Sequence, residues 1–242
     1  MNMKLMKIYA LVFFALFLAA FSSCSAGIEG VVREGGAAEI SLKTSLEPAT
    51  VALIRSIRGF MGEKADAPIL DGPEISRSLA VSPGILAVSL KNTGPTGLEG
   101  GISISNVGDF LASDDVKTRF ITYKEGRGAG NSSVTISLDR ESAPFIIARL
   151  SAEVGEYLSA LMAPAVLGVK SSRQEYIQLL AMVYGRPLAD EIAAARIRVS
   201  IEFPRQLIAV IGGTVAGRRA EFDILLTDLI VLEHSLNYEV KW

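Results

Sequence analysis

Apolar and polar positions alternate with a period of two at several places along the chain. Ala38, Ile40 and Leu42 alternate with Glu39, Ser41 and Lys43, and Val134, Ile136 and Leu138 with Ser133, Thr135 and Ser137. The same holds for Ile197, Val199, Ile201 and Phe203 against Arg198, Ser200 and Glu202, for Ala220, Phe222, Ile224 and Leu226, and for Leu236, Tyr238, Val240 and Trp242. Such a period turns one face of a strand to the core and the other to water. Residues 28–34 and 37–43 flank Gly35-Gly36, a pair that tolerates positive φ, so they predict a tight hairpin. Residues 84–91 and 98–105, joined by a Gly- and Pro-containing turn, predict a second hairpin, and 119–124 with 133–139 a third. Residues 207–211 predict a further short strand. A chain that closes on a core-facing tryptophan predicts a C-terminus held in a sheet.

Elsewhere the period lengthens. Val51, Ile54, Ile57 and Met61 recur every three or four residues with Arg55 and Arg58 facing away, which predicts an amphipathic helix over 48–61, ended by Gly62. Core packing explains its apolar face better than a membrane surface does. Asp71 is placed to cap a short helix over 73–81, and Asn106 one running to Ala112. In 142–162, Ile146, Leu150, Val154, Leu158 and Leu161 form one stripe, which Pro164 stops. Ser172-Arg173-Gln174-Glu175 is a capping box that starts a second helix through Tyr184, closed by Gly185 and Pro187. This order of elements predicts an α+β fold: an antiparallel β-sheet built from hairpins, with a helix pair packed on one face.

The first residues have a different character. Lys4 and Lys7 precede 14 uncharged residues, 8–21, and the small residues Ser22, Ser23, Cys24, Ser25, Ala26 and Gly27 follow. The apolar run is too short to span a bilayer, which takes roughly 20 residues, and has the length of a signal-peptide core. Phe21-Ser22-Ser23-Cys24 resembles the lipobox of bacterial lipoprotein precursors, with Phe21 where leucine is usual. The resemblance implies a diacylglyceryl thioether on Cys24, cleavage after Ser23 and acylation of the new amino group, with fatty acids such as palmitate. Cysteine suits this chemistry because a thiolate is a far better nucleophile than a serine hydroxyl. An ordinary signal peptide cut nearby would instead leave a secreted protein with one spare thiol. The expected organisation is a signal peptide over 1–23, a lipidated tether over 24–27 and a single α+β domain over 28–242.

Without residues 1–23 the chain keeps 22 basic residues against 26 acidic ones. An acidic balance with scattered cations argues against a nucleic-acid partner. Cys24 is the only cysteine, so stability must come from a core instead of disulfides, and half of the residues are hydrophobic.

Candidate chemistry is sparse. The run from Gly212 to Arg219 has the glycine spacing of a P-loop, but arginines stand where Lys and Ser or Thr are needed, and a strand follows where a helix must start. The glycine-rich stretch 125–131 reads as a loop, since no helix start follows to favour an anion. His234 is the only histidine and has no marked nucleophilic serine near it. Asp109, Asp114 and Asp115 lie close in sequence and Asp223 and Asp228 flank a strand, but Asp114-Asp115 lacks the spacing of a calcium loop and reads as a solvated turn. No catalytic, cofactor-binding or metal residue is therefore assigned, and no cofactor is expected. The lipidation site Cys24 is the single residue given a function.

The segment from Phe203-Pro204 through Gly212-Gly213 to Phe222 resembles the strand-and-turn pattern of LppM-type bacterial lipoproteins, which implies a role in binding envelope lipids. Two classes of function remain open. One is a non-catalytic envelope lipoprotein, exported and held by its acyl chains, that binds or scaffolds a protein partner. The other is a carrier or sensor of a lipid or other hydrophobic ligand. An envelope hydrolase is more distant, for want of a nucleophile, base or metal set.

Overall fold

The computed structural model describes residues 26–60, 69–82, 84–112, 120–126, 131–144 and 158–242. Strands β1 (Ala26–Val32) and β2 (Ala38–Ser45) form the first hairpin, and Gly35 and Gly36 turn it at φ 83° and 79°. β3 (Ile85–Asn92) and β4 (Gly97–Ile104) form the second, and β5 (Ile121–Lys124) and β6 (Ser133–Leu138) the third. The C-terminal part supplies β7 (Arg196–Glu202), β8 (Ala209–Ile211), β9 (Thr214–Ala216), β10 (Arg219–Leu225) and β11 (Leu236–Lys241). The fold is α+β, as expected.

The strands make two sheets where one was expected. The larger has the order β3-β4-β2-β1-β7-β10-β9, and the smaller β5-β6-β11-β8. Pairing is antiparallel except for β1 and β7, which run parallel with Ile28 beside Val199. A parallel neighbour cannot be a hairpin partner, so local alternation gave no sign of it. The register gathers the larger sheet's apolar side chains on one face: Ile28 lies between Leu42 and Val199, Val199 beside Phe222, and Ile40 beside Ile102. Glu29, Ser41, Ser200 and Glu221 line up on the other.

β1 takes in Ala26 and Gly27, two residues expected in the tether. Ala26 is fully buried and pairs with Ile197, so ordering it gains both a ladder position and a core contact.

Helix α1 (Pro48–Phe60) buries Val51 and Ile54 in the core, and with them Arg58, which was expected to face away. Arg58 is 8% exposed because its guanidinium donates to the carbonyl of Ile69, so the stem packs inward while the head finds an acceptor. Asp71 caps α2 (Gly72–Ala80) by accepting the Glu74 amide, and Asn106 caps α3 (Val107–Ala112) by accepting the Asp109 amide.

Most of the helix expected over 142–162 lies outside the described residues. Pro164 does not simply stop it but opens a single turn, α4 (Pro164–Leu167). The capping box starts α5 (Arg173–Tyr184), where Ser172 accepts the Glu175 amide and the Glu175 carboxylate accepts the Ser172 amide. Hydrogen bonds to the carboxyl from the Ser172 amide, and after it from the Ser172 hydroxyl, hold Glu175 below its ordinary pKa. Pro187 likewise opens a helix instead of closing one: α6 (Arg186–Ala194) folds back along α5. Proline costs nothing at the start of a helix, where its missing N–H has no partner to lose. α7 (Leu226–Val231) completes the helical layer. Tyr176 lies fully buried in α5 and donates its hydroxyl to the Leu161 carbonyl, and Tyr184 donates to Ala160, so residues 158–161 pack on α5.

The N-terminus of α1 is capped from a distant helix. The Ala49 and Thr50 amides donate to the two oxygens of the Glu191 carboxylate at 2.8 and 2.9 Å, and the Thr50 hydroxyl adds a third bond. Replacing Glu191 with Ala removes these acceptors from a half-buried helix start, so we expect a loss of about 1–2 kcal/mol. A urea midpoint unchanged from wild type would show that the cap contributes nothing.

Candidate functional site

The two sheets face each other across a cavity. From the larger sheet Ile40, Val199, Ile201, Phe222 and Ile224 point inward, and from the smaller Ile121, Val134, Ile136 and Tyr238. These positions are the core faces of strands, yet all nine remain only half-buried, because they border a void. Its volume is about 250 Å³, and among the described residues the wall exposes no polar surface to it. Natural interiors are close-packed, so an apolar gap of this size departs from the norm.

The enclosing elements follow from the strand order. At one side the chain crosses from the smaller sheet to the larger between β8 and β9, through Gly212-Gly213. Gly212 has a φ of 78°, and a Cβ on Gly213 would stand 2.5 Å from the Glu221 carbonyl oxygen. Both glycines are required where the backbone changes sheets. At the other side α3 contributes Val107 and Phe110, and it packs against β5. The tip of the first hairpin is fastened across the gap: the Gly35 amide donates to the Glu125 carboxylate at 2.8 Å, and Asn106 donates to the Gly35 carbonyl. Trp242 rests on Phe203, with ring centroids 4.6 Å apart, and on Tyr123 at 6.0 Å. Phe222 and Tyr238 meet edge to face at 5.5 Å across the two sheets. Burial pushes the Tyr238 phenol up, helped by the negative charge of Asp228, and it pushes Tyr123 up to about 12, helped by Glu125. Both hydroxyls therefore stay protonated at any physiological pH.

Two hollows on the outer face of the larger sheet enclose more space, about 480 and 640 Å³. Their walls mix Glu, Ser, Arg and Gly on a solvent-facing surface, where Arg33 pairs with Glu39 and Arg196 with Asp223. They are dips in a twisted polar sheet. The intersheet cavity is the better candidate because a dry, shaped wall is what a hydrophobic ligand needs.

The residues considered for other chemistry do not converge. Cys24 lies outside the described residues, as do Asp114, Asp115 and the middle of the 125–131 loop. The P-loop-like run turns between strands, and Arg218 and Arg219 both pair with Glu202. His234 is exposed in a bend between α7 and β11. Asp223 pairs with Arg196, and Asp228 with Arg173 at 3.3 Å. Asp109 occupies the first turn of α3. Among the described residues no group of three or more His, Cys, Asp or Glu side chains is placed to hold a metal ion, and no helix is long and apolar enough to cross a membrane.

No protein-family model and no curated protein matches the chain. Among solved structures it is similar to the NMR structure of the folded domain of the LppM protein of Mycobacterium tuberculosis, with a TM-score of 0.39 and 10% identity over 91% of this chain and 89% of that one.

Proposed function

We propose that this chain is an exported envelope lipoprotein, acylated on Cys24, that binds a hydrophobic ligand between its two sheets without transforming it. The lipobox-like sequence supports the anchor. The observation that carries the binding reading is the apolar cavity bordered by half-buried core-face side chains. Burial of apolar surface is worth roughly 25 cal/mol per Å², and side chains left facing a void forgo it until something fills the space. A ligand restores that contact.

Native mass spectrometry with organic extraction, on the processed chain purified without detergent, tests this reading. We expect a stoichiometric hydrophobic molecule to be released. A clean apo mass would oppose the carrier reading and favour a scaffold for a protein partner, for which the exposed side chains Ile208, Ile211 and Val215 around β8 and β9 provide an apolar surface.

A further inference from the structure

We infer that the cavity takes one unbranched alkyl chain of about ten carbons, the tail of a single-chain amphiphile, and keeps that amphiphile's polar head outside. This rests on the reading of the cavity as a ligand site and specifies the class of ligand.

Volume sets the length. A dry cavity of about 150 Å³ accepts benzene, six carbons, which allots about 25 Å³ to each carbon. The 250 Å³ between the sheets therefore holds about ten. Sites for drug-sized ligands span roughly 300–1,000 Å³, so a sterol or a pair of acyl chains does not fit.

Polarity sets the orientation. With no polar surface on the wall, a carboxylate, phosphate or sugar drawn inside would lose its water and gain no hydrogen bond. The head must stay where water reaches it, and the chain enters tail first.

The geometry also provides a reporter. Trp242 is the only tryptophan, and its ring packs at a tilt against Phe203, which lines the cavity. A bromine atom carried on the end of a bound chain is brought within quenching range of the indole.

Two substitutions fill the space by different routes. Val199→Phe adds bulk from the middle of the larger sheet. Gly30→Val adds it from the neighbouring strand, where a Cβ would stand 3.5 Å from the Ile201 side chain, an ordinary contact that the fold accommodates.

The experiment is quenching of Trp242 in the lipidated protein, held in phosphatidylcholine vesicles, by terminally brominated alkyl glucosides from hexyl to tetradecyl. Affinity is expected to rise about fourfold per methylene up to decyl and then level off, because further methylenes remain outside. Both filled variants, with thermal transitions like that of the wild type, should lose at least tenfold in decyl affinity. An affinity that climbs through tetradecyl equally in wild type and filled variants would mean partition into the bilayer and would overturn the inference. If no glucoside quenches, yet extraction releases a bulky or two-chain lipid, the chain class is wrong and the ligand site stands. No quenching together with a clean apo mass overturns both.

Discussion

Replacing Trp242 with alanine should destabilise the fold by about 3–5 kcal/mol, the range for removing a large aromatic side chain from a core. Trp242 is 2% exposed and directly follows β11, an inner strand of the smaller sheet flanked by β6 and β8. Its amide donates to Ser132 and its carbonyl accepts from Ser132, so the backbone is held as firmly as the ring. The ring joins Tyr123 of the smaller sheet to Phe203, which follows β7 of the larger, and aromatic pairs add roughly 0.5–1.5 kcal/mol beyond the area they bury. Against a total of about 5–15 kcal/mol for a domain, the loss is a large share. Chemical denaturation would read it directly, and a midpoint within error of the wild type would refute the role given to this side chain. Trp242→Phe should retain much of the stability, because it keeps a ring against Phe203.

Cys24→Ala should abolish incorporation of labelled fatty acid altogether and release the protein from the membrane fraction. On the proposed acylation the effect is all or none, because the thioether would form at one sulfur and the chain contains no other cysteine to take its place. Each buried CH₂ contributes about 0.8 kcal/mol to membrane binding, so two or more chains hold stably where one would come and go. Metabolic labelling followed by fractionation measures both consequences. Label that persists in the variant would refute acylation at Cys24.

Much of the fold is legible in the order of residues, because its cues are local. The Gly35-Gly36 hairpin, the Asp71 and Asn106 caps and the Ser172–Glu175 box each depend on contacts within a few positions, and each appears where the pattern predicts. The parts that are not legible depend on distance. The Glu191 cap on α1 bridges 142 residues, and the parallel pairing of β1 with β7 joins strands at opposite ends of the chain. Pro164 and Pro187 are ambiguous for a different reason, since proline both ends one helix and suits the start of the next. The cavity is hidden most completely. Alternation shows that Ile40, Val199 and Phe222 face inward, but it carries no information on how close the opposite layer comes. Only the second sheet, absent from the expected architecture, turns those apolar faces into the wall of an enclosure.

The early start of β1 limits how the protein can work. Ala26 is already locked between sheet and core, and consecutive Cα atoms are about 3.8 Å apart, so an anchor proposed two residues earlier would be tied within about 8 Å of Ala26. Lipoproteins with long leashes can sweep a volume around their anchor. On the proposed anchor, this domain would ride on the bilayer like a bead glued to a sheet, sampling only what emerges at that surface, and a ligand would pass between membrane and protein without crossing open water.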